Sequence, residues 1–286
     1  ALFEIEQRLA ETSREDSDRV HYLSDMARIA EVHLDNVDNA IELLEEVLMV
    51  APSHLEAIHE LQRLLRGTEA WEALVESYER ELTIDPEAER ALTLHKELGR
   101  TLQGELDEAF RAMGHWEKAR EIAPEDEEVL GSLRELYREG FNFERLVDVL
   151  RAKLASGQVG EEGTLGIWRE LADLFTESIV KPPEAIDAWE NVLALSEADP
   201  RAIEALEVLY RQEQRWSDAV SLGQMKVQHV ETPAERLEIW MDIATIQEGR
   251  MEDAAGAAET YKTVLEAFPA NLDASGRLEK IYRAGQ

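Results

Sequence analysis

One register constrains this chain more than any other property: its apolar residues recur every 72 or 73 positions. Ala40, Ala112, Ala185 and Ala257 form one column, spaced by 72, 73 and 72 residues. The same steps carry Leu44 to Trp116, Trp189 and Tyr261, and Leu61 to Leu133, Leu206 and Leu278. Met26, Leu98, Leu171 and Ile243 align as well, each followed by a small residue: Ala27, Gly99, Ala172 and Ala244. One inserted residue between Leu146 and Leu165 accounts for the longer step. Such self-similarity is the mark of an architecture that stacks units, because a single unit cannot bury its own apolar face.

Within the first period, apolar spacing of three and four predicts helices over 18–33, 37–50, 54–66 and 70–82. Breakers such as Ala51-Pro52 and Arg66-Gly67-Thr68 fall between them, and Asn36, Ser53 and Thr68 are expected N-caps. The connections are short, so neighbouring helices must be antiparallel hairpins. No stretch alternates as a strand does. The expectation is an all-α solenoid of about 16 helices in a 72-residue double-hairpin period. The whole chain, 1–286, reads as one continuous array: a partial unit at 1–17, units at about 18–91, 92–164 and 165–236, and a partial unit at 237–286. Both ends fall inside a unit and residue 1 is Ala, which suggests a fragment of a longer protein.

Hydrophobic residues make up 44% of the chain, enough for a substantial core. Against 30 Lys and Arg stand 62 Asp and Glu, a formal net charge of −32 that disfavours nucleic acid as a partner. There is no cysteine, so thiol catalysis and thiolate metal sites are excluded. No apolar run is long enough for membrane insertion, and no secretory leader is visible. A cytoplasmic location is the default expectation.

At its columns the sequence resembles the tetratricopeptide repeat. Leu98-Gly99, Ala112, Trp116, Ala119 and Pro124 follow that family's pattern of a large-plus-small pair, second-helix alanines and a closing proline. Leu206, Tyr210, Trp216 and Ala219 match the adjacent hairpin. The likeness covers essentially the entire chain, with departures: Gln62, Arg134, Glu207 and Glu279 stand where the family carries Gly or Ala. The resemblance implies a right-handed superhelix whose first helices line a groove for an extended peptide or partner protein.

Chemical motifs do not point to an enzyme. Gly157, Gly160 and Gly163 lack the spacing of a phosphate loop, and no nucleophile elbow occurs. Glu56-Ala57-Ile58-His59 is half of a di-iron motif without its second copy, so His59 reads as a solvated histidine. His54 and His59, five apart, lie on different helix faces. The six tryptophans fall in register positions otherwise filled by Leu, Phe, Tyr or His, and packing explains them. No catalytic residue, metal site or cofactor is expected.

The informative deviation is the placement of positive charge. The family's geometry implies groove positions Ser24, Arg28, His59, Arg63, Lys96, Arg100, Gly131, Glu135, Arg169, Asp173, Glu204, Val208, Met241 and Thr245. Five of these are Lys or Arg and three are acidic, in a chain where acids outnumber bases two to one. Arg28, His59, Arg63, Arg66, Lys96, Arg100 and Arg169 are therefore the candidate peptide-binding residues. Arg63, Lys96 and Arg100 could clamp a carboxylate through charge-assisted hydrogen bonds. Alternatively these bases pair with the surplus Glu and Asp on adjacent helices. The acidic run 125–128 reads as a solvated face. The function expected is a non-enzymatic scaffold that binds a peptide or protein tail, an acidic one if the basic row is free. The alternative is a structural array that self-associates through its end hairpins.

Overall fold

The computed structural model describes residues 2–284. Among them are sixteen α-helices, one π-helical turn and no strand. The chain divides into two compact units, one running through Phe141 and the other beginning at Asn142. The first holds α1 (Leu2–Thr12), α2 (Asp16–Leu34), α3 (Val37–Val50), α4 (Leu55–Gly67), α5 (Trp71–Leu82), α6 (Ala88–Gly104), α7 (Ala109–Ile122) and α8 (Glu127–Glu139). The second holds α9 (Phe143–Ala155), α10 (Glu161–Asp173), the π-turn (Leu174–Ser178), α11 (Pro182–Leu195) and α12 (Pro200–Gln212). It continues with α13 (Trp216–His229), α14 (Pro233–Gly249), α15 (Ala254–Ala267) and α16 (Leu272–Ala284). Within each unit, consecutive helices pack against one another as hairpins.

The helices begin where a side chain can satisfy a free backbone N–H. Asn36 caps α3 as expected, accepting from the Asn39 N–H at 3.1 Å. Ser53 does not cap α4: it lies in the turn, and His54 Nδ1 accepts from the Ala57 N–H at 3.1 Å instead. Asp126, Asp199 and Asn271 do the same for α8, α12 and α16, at 3.0, 2.9 and 2.9 Å. Thr68 closes α4 rather than opening α5, its hydroxyl donating back to Leu64 O at 3.1 Å. Left-handed residues end the even-numbered helices. Asp35, Asp107, Val180 and Glu252 have φ of 51 to 56°, and Glu69, Phe141 and Gln214 have φ of 53 to 58°.

The small residues lie where helices approach most closely. Ala27, Ala172 and Ala244 are buried, and a Cβ on Gly99 would sit 2.4 Å from Cε2 of the Trp116 indole. Trp116 is fully enclosed and Trp189 is buried, their Nε1–H groups donating to Gln103 Oε1 and Thr176 Oγ1 at 3.3 and 3.2 Å. The other four tryptophans are half-buried. Two departures from the family pattern have a polar explanation. Gln62 Nε2 donates to Glu81 Oε2 at 2.8 Å, and Lys226 Nζ donates to Glu207 Oε1 at 2.6 Å, so each bridges to the next helix.

Candidate interaction face

In the first unit, α2, α4, α6 and α8 are linked sideways by ion pairs on one face. Arg63 on α4 reaches Glu31 on α2 and Glu60 on its own helix, both at 2.7 Å. Arg66 reaches Glu97 on α6 at 2.5 Å and also donates to the Tyr78 hydroxyl. Lys96 on α6 reaches Asp126 at 2.9 Å and Glu128 at 2.7 Å. Arg100 joins Glu97 at 2.8 Å and Glu128 at 2.5 Å. Among the described residues Arg28 pairs only within α2, with Asp25 at 3.0 Å, and it is largely exposed. The hydrogen bonds that Arg63 donates to Glu31 and Glu60 raise its pKa further above the ordinary value. Asp126 and Glu128 thus belong to the ladder, not to a purely solvated run.

The second unit repeats the device with its own residues. Arg169 on α10 donates to Asp199, the α12 cap, with Nε at 3.1 Å. Arg201 returns to Asp173 at 2.7 Å, Arg211 reaches Asp242 on α14 at 2.5 Å, and Arg277 on α16 reaches Glu248 at 3.2 Å. Every base singled out from the sequence therefore has an internal carboxylate partner.

The expected clamp of Arg63, Lys96 and Arg100 divides. Lys96 and Arg100 turn to α8, while Arg63 and Arg66 share a cavity of about 320 Å³ with His59, Gln62, Tyr78, Arg90, Thr93 and Glu97. The sequence reading missed Arg90. It stands two residues past the start of α6, and no groove position predicts it. Beneath the cavity Glu81 is 2% exposed. Arg90 grips it with Nε and Nη2 at 2.6 and 2.8 Å, Gln62 donates at 2.8 Å, and His59 Nε2 lies 3.2 Å away. Burial pushes the Glu81 carboxyl up, but the hydrogen bonds from Arg90, Gln62 and His59 win and hold it at about 2. His59 is exposed, as expected of a solvated histidine, and its ring is in addition tied to a buried carboxylate. The cavity presents three guanidinium groups and a histidine against a single wall carboxylate, Glu97. Such a site can receive a planar anion by bidentate hydrogen bonding.

A histidine pair was not foreseen: His95 Nδ1 and His115 Nδ1 lie 3.1 Å apart between α6 and α7. Among the described residues no cluster of three or more His, Cys, Asp or Glu is placed to hold a metal ion, and no helix is long and apolar enough to cross a membrane.

No family model and no curated protein matches the chain. Solved structures do resemble it. One is a tetratricopeptide repeat protein from Parabacteroides merdae, 14% identical, covering 92% of this chain and 98% of that one, with a TM-score of 0.39. Another is YrrB, described as a tetratricopeptide repeat protein with an unusual peptide-binding site, 14% identical over 64% of this chain and 89% of its own, TM-score 0.35. A third is the TPR2AB domain of yeast Sti1 in complex with pHSP90, 13% identical over 94% and 100%, TM-score 0.35. At such TM-scores the likeness carries nothing about the ligand.

Proposed function

We propose that this chain is a protein-interaction scaffold of tetratricopeptide-like hairpins, without a catalytic step of its own, that holds a segment of a partner protein on its even-numbered helices. The observation that carries the reading is the cavity between α4 and α6, where Arg63, Arg66 and Arg90 converge around a single wall carboxylate. An acidic side chain or a C-terminal carboxylate fits this chemistry. It would bind by exchange, taking guanidinium hydrogen bonds now made to Glu31 and Glu97. Because one charge pair replaces another, the gain lies in selectivity for a carboxylate more than in raw affinity.

The test is fluorescence anisotropy with a labelled acidic peptide ending in a free carboxylate, beside its amidated neutral counterpart. The acidic peptide should bind, and Arg63→Ala with Arg66→Ala should abolish binding while Lys96→Ala, outside the cavity, leaves it intact. Equal binding of both peptides would reject the carboxylate reading. Exposed Ile5 on α1 and Leu272 on α16 favour a second reading, stacking between copies through the end helices. In that case the sedimenting mass rises with concentration.

A further inference from the structure

We infer that the second unit carries a separate docking pit, which takes a large apolar side chain of a partner protein flanked by Lys or Arg. This rests on the scaffold reading above, but not on the basic cavity. The pit, about 460 Å³, lies between the π-turn, the start of α11 and α12. Phe175, Trp189 and Leu209, all buried, form its floor. Val180 and Val208 form its rim, 65% and 52% exposed.

The two valines are the anomaly. Val180 occupies the left-handed position that Asp35, Asp107 and Glu252 fill in the other periods. Val208 occupies the column of Arg63, Glu135 and Lys280. At both positions every other period places a charged residue, and only here does an apolar one face solvent. Val180 is doubly unsuited, because a β-branched side chain disfavours its φ of 54°. Solubility argues against both residues and backbone preference against Val180 as well, and both line the same pit. A partner's apolar group gives them something to cover.

Charge at the rim names what flanks that group. Asp173 and Arg201 neutralise each other at 2.7 Å, and the Arg201 guanidinium lies 5.6 Å from the Trp189 ring centroid. Glu177 and Glu204 are exposed and make no hydrogen bond or ion pair among the described residues. Two uncompensated carboxylates beside an apolar floor favour a cationic neighbour and repel an acidic one.

The experiment pans random dodecapeptides displayed on phage against the whole chain and four variants, one of them Arg63→Ala with Arg66→Ala. Val208→Lys and, separately, Val180→Asp restore the charge found in other periods. Glu177→Gln with Glu204→Gln removes the rim charge. Helical circular dichroism checks folding of each. The wild type should enrich Leu, Ile, Met or Phe within two residues of Lys or Arg. Either valine variant should lower recovery of those clones about tenfold or more. The glutamine variant should keep the apolar preference and lose the basic one. Absence of that consensus, or undiminished recovery on both valine variants, overturns the pit. An acidic consensus lost with Arg63→Ala and Arg66→Ala but kept with Val208→Lys supports the basic cavity and overturns the pit. An apolar and basic consensus lost with Val208→Lys but kept with Arg63→Ala and Arg66→Ala sustains the pit independently of the basic cavity.

Discussion

Gly99 and Gly131 show two opposite uses of the same residue. A methyl group at Gly99 would meet the rigid, buried Trp116 ring, whereas at Gly131 in α8 nothing lies within 4 Å. Gly99→Ala is therefore expected to destabilise by ~1–3 kcal/mol despite better helix propensity. Gly131→Ala should stabilise by ~0.5–1 kcal/mol. Urea midpoints check both, and also Ala172→Leu, which overpacks a fully buried contact and should cost ~1–3 kcal/mol. Two networks titrate in separable windows. Burial, then the charges of His115 and Lys118, lower His95 from its ordinary 6.5 to about 4, and burial also lowers His115. The unfolded chain therefore binds more protons between those values, and stability falls as pH drops from about 6.5 to about 4, by up to roughly 3 kcal/mol for His95. Glu81, held at about 2 against an ordinary 4.5, stabilises the fold above 4.5 and ceases to as pH falls through its depressed value. Denaturation followed against pH should show His95→Gln flattening only the upper window and Glu81→Gln only the lower.

At the scale of elements, caps and turns repeat as faithfully as the apolar columns. His54, Asp126, Asp199 and Asn271 occupy one register position and all cap a helix through the same bond. Asp199→Ala removes the α12 cap and the Arg169 partner together, and a loss of about 1–3 kcal/mol is expected in thermal melts. Val180→Asn should act in the other direction, gaining up to ~1 kcal/mol by relieving a left-handed β-branched residue. Helix existence was legible in the sequence because burial alone sets the spacing of apolar residues. Helices expected at 37–50 and 70–82 occur at Val37–Val50 and Trp71–Leu82. The Ser53 and Thr68 caps were misplaced because residue type alone does not say which neighbour adopts the extended backbone of a cap. Comparing the four periods would have found it, since Asp126, Asp199 and Asn271 align with His54.

Across the whole molecule, electrostatics opposes itself. A net charge of −32 favours expansion, while exposed pairs contribute only ~0–1 kcal/mol each. Screening the first outweighs weakening the second, so the melting temperature should rise between low salt and ~0.15 M. A fall would mean that the ladder dominates. The candidate face was half legible for the same reason. Which positions carry bases could be read from the register, but which carboxylate each base meets depends on helix packing. Glu81 and Arg90 were invisible because neither lies in a groove column. The lateral ion pairs of the first unit have one more consequence. On α6, Glu97 faces the Arg66 side, while Lys96 and Arg100 face Glu128 on α8. If α4 and α8 exchanged places around α6, acid would meet acid and base would meet base. The ladder therefore works as an address: it stores, in the signs of its rungs, the order in which the hairpins must be assembled.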